Sequence, residues 1–171
     1  MSNHCSVYDF AVYLFVFYSR TVRYLMAEIL YKRPFLGAFL KMMGGIKVDR
    51  DSHSFNFITK SKAVLDKGGV IGIFPESRLP KEGEERPLEF KPSVTYLAFE
   101  SDTKIIPVYT SGNYFKKSRV RVIIGKEIDI NEYYNENLSE KENIDAITKI
   151  LRQKIIDLGH LLDEKSKATI V

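Results

Sequence analysis

Short apolar segments alternate with helical patterns through most of this chain, and this alternation constrains the fold more than any other feature. Segments with the apolar character of short strands occur at residues 22–27, 46–48, 70–74, 105–109 and 119–124. Helical patterns lie before, between and after them, and begin near Ser6, Pro34, Asp51 or Ser52, Pro92 and Ser139. This order predicts an α/β fold with a largely parallel central sheet flanked by helices.

The length of the chain fits one folded domain. A chain of 171 residues can bury a hydrophobic core, and no repeat or low-complexity tract divides it, so we predict a single domain over residues 1–171. The longest apolar run, residues 10–18, is about half of the ~18 residues that a membrane-spanning helix needs. We therefore expect that the chain does not span a membrane by itself, although it can lie on one.

Charge and cysteine content narrow the classes of partner and compartment. The net charge of +4 suits an anionic partner, whether a membrane surface, a phosphorylated substrate or a nucleic acid. Cys5 is the only cysteine, so no intrachain disulfide forms, which indicates a reducing compartment. Cys5 beside His4 would suit a metal site or a thiol nucleophile, but no second cysteine or nearby histidine completes a ligand set.

A histidine and an aspartate stand five residues apart near the start of the chain. His4 and Asp9 do not share a face of a regular helix, because residues i and i+5 lie about 140° apart. They meet if His4 lies in a loop and Asp9 in the first helical turn. Asp9 then holds one ring nitrogen, and the other accepts a proton from an alcohol. The structural alternative is that Ser6-x-x-Asp9 is a capping-box-like helix start.

Two arginines follow predicted strands, and each has a chemical and a structural interpretation. Arg50 follows the strand at 46–48, and Arg78 follows the strand at 70–74 with Glu76 two residues before it. Guanidinium groups bind phosphate bidentately, and Glu76 would orient Arg78 or bind a substrate hydroxyl. The alternatives are an exposed arginine at 50 and a surface turn with a weak ion pair at 76–78.

Four further patterns are less specific. Pro107 cannot donate to a sheet ladder and marks a strand edge or a bulge. The polar loop at 75–91 carries an acidic stretch at 82–85, which we expect to be solvated. The aromatic segment at 10–18 either packs in the core or forms an acyl-chain wall or an interfacial surface. In the helix that begins at Pro34, one face carries Phe35, Phe39, Leu40 and Met43.

Together these segments resemble the four signature blocks of the glycerolipid acyltransferase family, whose best-known members are the lysophosphatidic acid acyltransferases. Asn3-His4-x-Ser6-x-x-Asp9 resembles the family's NHxSxxD, and Gly45-Ile46-x-Val48-x-Arg50 resembles its second block. Phe74-Pro75-Glu76-Ser77-Arg78 resembles FPEGTR, and Ile106-Pro107-Val108 resembles the short fourth block. The resemblance covers roughly residues 2 to 125, and four blocks in order are far more specific than any one of them.

The resemblance implies direct transfer of a fatty acyl group from acyl-CoA or acyl carrier protein to a hydroxyl of lysophosphatidic acid or a related lysophospholipid. His4 would be the general base and Asp9 would hold its ring, with no cofactor and no metal. Arg50 and Arg78, with Glu76, would bind the acceptor's phosphate. Gly45, Ser77 and Pro107 would belong to the acceptor loop or pocket. The resemblance also implies a peripheral or monotopic place on the cytoplasmic face of a membrane.

Three departures from the family pattern carry expectations of their own. The third block is one residue shorter, and Ser77 stands where glycine is usual, which affects how the loop approaches the substrate. Ala27 falls near a position where many members have lysine. Only three residues precede His4, so the strand that leads into it is expected to be missing and the domain to be N-terminally truncated. We therefore expect a poorly ordered His4 and weak or no activity.

Two other functions compete with an active enzyme. One is a non-catalytic lipid- or phosphate-binding module with the same fold. The other is nucleic-acid binding through a basic stretch with an aromatic, formed by Tyr114, Lys116, Lys117, Arg119 and Arg121. No nucleic-acid motif surrounds this stretch, so we expect no nucleic acid among the partners. At most we expect contact with anionic lipid headgroups.

Overall fold

The computed structural model describes residues 1–48, 56–112, 114 and 119–168. The chain forms two compact units. One is Phe10–Ile73, and the other combines Met1–Asp9 with Phe74–Val171. The interpretation of residues 1–171 as one acyltransferase domain stays a prediction.

The unit Phe10–Ile73 contains a three-stranded parallel sheet in the order β2-β1-β3. Its strands are β1 (Val22–Ala27), β2 (Ile46–Val48) and β3 (Val70–Gly72). Leu25 pairs with Ile46, and Val22 pairs with Val70. The C-terminal half of β1 therefore pairs with β2, and its N-terminal half pairs with β3. Three parallel strands with helices between them confirm the predicted α/β class, because parallel strands require crossover connections.

Helices connect and flank these strands. They are α1 (Asp9–Val16), α2 (Glu28–Tyr31), α3 (Pro34–Met42) and α4 (Asn56–Leu65). Pro34 opens α3, since proline suits the first helical turn, and Gly44 follows its end with φ +70°. The predicted start of α4 at Asp51 lies outside the described residues. Only part of the predicted apolar face of α3 is buried in the core. Leu40 is 1% exposed, whereas Phe35 is 91% exposed.

The second unit pairs helices with a two-stranded antiparallel ribbon. Its elements are α5 (Ser93–Ser101), β4 (Val108–Thr110), β5 (Val122–Ile124), a 3₁₀ turn (Ile130–Tyr133) and α6 (Glu140–Ala168). Val108 pairs with Ile124 and Thr110 with Val122. These strands are antiparallel because only residues 111–121 connect them, and a parallel pair needs a longer crossover that usually contains a helix.

The long helix α6 supplies much of this unit's core. Ile147, Leu151 and Ile155 recur every four residues and are fully buried, where each contributes about 1.5–3 kcal/mol relative to an exposed position. Ser139 and Glu142 form a capping box, because each side chain accepts from the other's backbone N–H. The helix packs on β4 and β5, which fixes the strand beside the candidate site.

The residues before His4 join this unit through β4. Ser2 makes an isolated parallel bridge with Val108, and the Val108 N–H donates to the carbonyl of Met1 at 2.9 Å. The bridge directs the chain along the edge of β4 toward Thr110. Among the residues described, no helix combines the length and the apolar composition needed to cross a bilayer.

Candidate active site

Three contacts fix His4. Its Nδ1 lies 2.8 Å from Oδ2 of Asp9, and its backbone N–H donates to Oε1 of Glu76 at 2.7 Å. Its ring stacks on Phe74, with centroids 4.4 Å apart and planes inclined by 20°. The expectation of a poorly ordered His4 is therefore wrong, because residues far along the chain provide the support that an upstream strand was expected to give. The side chain is 20% exposed, so the ring is still reached by solvent.

Asp9 is fully buried and accepts hydrogen bonds at both oxygens. Oδ2 accepts from the backbone N–H groups of Cys5 (2.6 Å) and Ser6 (3.0 Å) as well as facing His4. Oδ1 accepts from the hydroxyl of Tyr114 at 2.5 Å. Asp9 lies in the first turn of α1, as predicted. The same carboxylate therefore bonds to the helix start, as the capping interpretation expects, and contacts the imidazole; the catalytic role of the pair stays a prediction.

Glu76 links His4 to Leu88, twelve residues further along the same loop. Its side chain is buried, and its second oxygen, Oε2, accepts from the Leu88 N–H at 2.9 Å. Burial raises the pKa of Glu76, while the hydrogen bonds from Leu88 and His4 act in the opposite direction. Both oxygens are thus engaged by backbone donors. Its assignment to the acceptor's phosphate stays a prediction, and its contacts show a structural role.

Arg152 of α6 holds the loop that Glu76 contacts. Its Nη2 donates to the carbonyl of Pro87 at 2.7 Å, and its Nε donates to that of Leu88 at 3.1 Å. Because the Leu88 N–H binds Glu76, a continuous set of hydrogen bonds runs from α6 to His4. Sequence analysis missed Arg152, since an arginine on an amphipathic helix carries no signal of a buried partner.

Arg78 is exposed and engaged by a carboxylate. Its Nη1 and Nη2 lie 2.7 and 2.8 Å from the two oxygens of Glu84. Hydrogen bonding from Arg78 is the first cause that lowers the pKa of Glu84 to about 2, and the Lys81 N–H adds to it. The predicted solvated acidic stretch therefore contains a specific partner for Arg78. A fork that holds a carboxylate has the geometry to hold a phosphate.

The remaining predicted site residues lie in several places. Ser77 has φ +59°, a left-handed conformation that favours glycine, and its N–H closes a turn on the Phe74 carbonyl at 3.0 Å. Pro107 is buried before β4, where its carbonyl accepts from Gly125 at 2.8 Å. Gly45 lies in the unit Phe10–Ile73, where a Cβ would meet the Tyr31 hydroxyl at 2.6 Å. Arg50 lies outside the described residues.

Asn3 and Cys5 complete the surroundings of His4. The Asn3 side chain accepts from the Thr110 N–H (2.9 Å) and donates to the Thr110 carbonyl (3.0 Å), so it acts as one more pairing step beside β4. Burial, reinforced by the charges of Asp9 and Glu76, raises the pKa of Cys5 to about 12. The thiol therefore stays protonated at neutral pH, which argues against a thiolate nucleophile.

Comparison with known proteins decides the family. The family model described as Acyltransferase matches residues 1–111. The chain belongs to the acyltransferase family. The matched segment of this acyltransferase contains His4, Asp9, Glu76 and Arg78, whereas Tyr114 and Arg152 lie beyond it.

Two curated relatives and one solved structure resemble this acyltransferase. A 1-acyl-sn-glycerol-3-phosphate acyltransferase of Bacillus subtilis is 27% identical over 148 residues, 84% of this chain and 71% of the relative. A protein of the same name from Borreliella burgdorferi is 31% identical over 170 residues, 91% of this chain and 63% of the relative. The structure of the 1-acyl-sn-glycerophosphate (LPA) acyltransferase PlsC from Thermotoga maritima shares the fold, with a TM-score of 0.62 and 20% identity. That match covers 92% of this chain and 64% of the Thermotoga chain.

Proposed function

We propose that this acyltransferase moves a fatty acyl group from acyl-CoA or acyl carrier protein to the free hydroxyl of 1-acyl-sn-glycerol-3-phosphate or a related lysophospholipid. The names of the two curated relatives support this acceptor. The observation that carries the proposal is the 2.8 Å contact between His4 Nδ1 and a fully buried Asp9. A buried carboxylate that holds one ring nitrogen leaves the other as a directed base.

The proposed reaction is a direct transfer. Nδ1–H of His4 donates to Asp9, and Nε2 takes the proton of the acceptor hydroxyl as its oxygen attacks the thioester carbonyl carbon. The C–O bond forms, the C–S bond breaks, and the proton on Nε2 passes to the departing thiolate. The protonated thiol of Cys5 supports a mechanism without an acyl-enzyme. No cofactor or metal is required for any step.

Arg78 is proposed to bind the acceptor's phosphate, together with Arg50. In the structure Glu84 holds both ends of the Arg78 guanidinium. The pair is exposed, and exposed ion pairs contribute little free energy, so a phosphate with a higher charge can replace the carboxylate. The protein is proposed to act peripherally at the cytoplasmic face of a membrane, with its acceptor supplied by the bilayer and its donor by the aqueous phase.

The test measures thiol release from acyl-CoA in the presence of 1-acyl-sn-glycerol-3-phosphate, with mass spectrometry of the lipid product. We expect wild-type turnover and a loss of about 10²- to 10⁴-fold in H4A, the usual contribution of a general base. H160A is the matched control, because His160 is an exposed histidine of α6, and we expect its rate to equal the wild type.

Two results contradict the proposal in different ways. Full activity in H4A excludes His4 as the base. Binding of the acceptor without any product in the wild type identifies a non-catalytic lipid- or phosphate-binding module instead. Circular dichroism of H4A, with unchanged helix content, shows that lost activity reflects chemistry and not misfolding.

A further inference from the structure

Helix α3 exposes a continuous apolar stripe to solvent. Phe35 is 91% exposed, Met42 is 75% exposed and Phe39 is 38% exposed. With the exposed Ala38, these residues occupy positions i, i+3, i+4 and i+7, which share one face of a helix. The other face is already used, because Gly37 and Leu40 are buried.

A stripe of this kind differs from the scattered apolar residues of ordinary surfaces. Single exposed apolar side chains are common, whereas a continuous patch marks a surface that binds something. Ile29, in the helix α2 that packs on α3, is 63% exposed and adds to the apolar surface of this unit. The position of Gly37 shows that the packing of α3 is specific, since a Cβ there would lie 2.6 Å from the Tyr31 carbonyl oxygen. Because the Gly37 side of α3 packs closely on Tyr31, Phe35 faces solvent.

The charges around the stripe identify the class of partner. Four lysines and arginines lie between Glu28 and Asp49, and one of them, Lys47, is paired with Glu28. Three of these basic residues, Lys32, Arg33 and Lys41, are exposed within α3 or just before it. An apolar helical face flanked by basic side chains is typical of helices that lie in the interface of an anionic bilayer. A second copy of the chain would instead bring like charges together across a symmetric interface.

We propose that the outer face of α3 docks on an anionic lipid bilayer, with Phe35, Phe39 and Met42 inserted at the boundary between headgroups and acyl chains. Lys32, Arg33 and Lys41 then contact lipid phosphates. This inference deepens the proposed function and rests on it for one point, namely that the acceptor is a membrane lipid. The docking face itself is defined by residues outside the candidate active site.

The absence of tryptophan from the sequence allows a direct test. F35W introduces a single tryptophan at the most exposed position of the stripe. We expect its emission to shift to the blue, and brominated lipids to quench it, on vesicles of phosphatidylcholine mixed with phosphatidylglycerol. We expect little change on phosphatidylcholine alone, and reversal by salt. L161W is the matched control, because Leu161 is an exposed apolar residue of α6.

Three results overturn the proposal. One is F35W emission that anionic vesicles do not change. Another is an equal shift in L161W, which indicates nonspecific adsorption. The third is a blue shift that depends on protein concentration without vesicles, which indicates that a second copy covers the stripe.

A second measurement separates this proposal from the proposed function. In F35S/M42S we expect the vesicle partition coefficient to fall by about tenfold or more, given the apolar area withdrawn from the bilayer. We expect L161S to bind as the wild type does, and unchanged partitioning in F35S/M42S refutes the docking face. Turnover of a short-chain, water-soluble lysophosphatidic acid should persist in F35S/M42S. H4A should bind vesicles normally but lose turnover, so failure of the chemistry and failure of docking give different results.

Discussion

At the residue scale, the buried carboxylate of Asp9 makes several hydrogen bonds at once. It accepts from two backbone N–H groups at the start of α1, faces the His4 ring, and accepts from Tyr114. An exposed carboxylate could not hold the imidazole as strongly, because water would compete for it. Helix initiation and orientation of the His4 ring therefore depend on the same carboxylate.

Tyr114 is expected to set the acceptor strength of Asp9. Burial, followed by the hydrogen bond to Asp9, raises the pKa of Tyr114, so its hydroxyl remains a donor at neutral pH. In Y114F, Oδ1 loses this donor, and Asp9 becomes a stronger acceptor for the protonated His4 ring. We expect the acid limb of the kcat/KM profile to move to higher pH, with activity on that limb about fivefold lower.

The control for this pH profile is Y18F, because Tyr18 is 87% exposed. An unchanged profile in Y114F, with a uniform loss of rate at all pH values, would mean that Tyr114 only supports the loop.

At the scale of elements, the loop between β3 and α5 carries Arg78, the proposed phosphate ligand, and its partner Glu84. The Arg78–Glu84 pair and the Leu88–Glu76 hydrogen bond close this loop on itself, while Pro87 attaches it to α6. The pKa of Glu84 is lowered, so the pair is present above the ordinary carboxylate pKa and is lost as pH falls toward about 2. Glu84 thus stays ionised near neutral pH, where it would compete with the proposed phosphate for Arg78.

Removal of this competitor is expected to improve binding of the phosphate-bearing acceptor. In E84Q we expect the KM for 1-acyl-sn-glycerol-3-phosphate to fall by about two- to fivefold, a modest change because the pair is exposed. Steady-state kinetics with a phosphate-free monoacylglycerol, for which KM should not change, shows whether the effect acts on the phosphate.

E82Q is the charge-matched control, since Glu82 is exposed in the same loop. A fall in KM of the same size in E82Q would show that net charge, and not release of Arg78, is responsible. R78A should raise the KM for the phosphate-bearing acceptor; if it does not, Arg78 does not bind the phosphate.

At the scale of the whole molecule, α6 acts on the site from outside the matched family segment. R152A removes the donors to the carbonyls of Pro87 and Leu88, which support Glu76 and, through it, the His4 backbone. We expect kcat to fall by about tenfold with little change in KM, because misplacement of a base affects the chemical step more than binding. R152K should restore part of kcat.

K154A is the control on the same helix, where Lys154 is exposed. Equal losses in kcat and in thermal stability for R152A and R152K would indicate a purely structural role for Arg152.

The sequence predicted those parts of the fold and site that depend on local pattern. The bounds of β1 and β2, the start of α3 at Pro34 and the position of Asp9 in the first turn of α1 are confirmed. Periodicity shows that α3 has an apolar face but not whether other residues cover that face. The exposure of Phe35 therefore could not be predicted from the sequence. The antiparallel pairing of β4 with β5, the Glu84 partner of Arg78, and the roles of Tyr114 and Arg152 depend on contacts between residues remote in sequence. No local pattern encodes such contacts.

Sequence separation also has a consequence for when the site forms. His4 belongs to the same unit as Glu76, which follows it by 72 residues, and Asp9 to the same unit as Tyr114, which follows it by 105. During synthesis His4 and Asp9 leave the ribosome first, while the groups that hold them have not yet been translated. Contacts of such high order form slowly, after the intervening loop has been closed. The newborn chain therefore carries an unassembled candidate site until its last third begins to emerge and both Glu76 and Tyr114 have been translated.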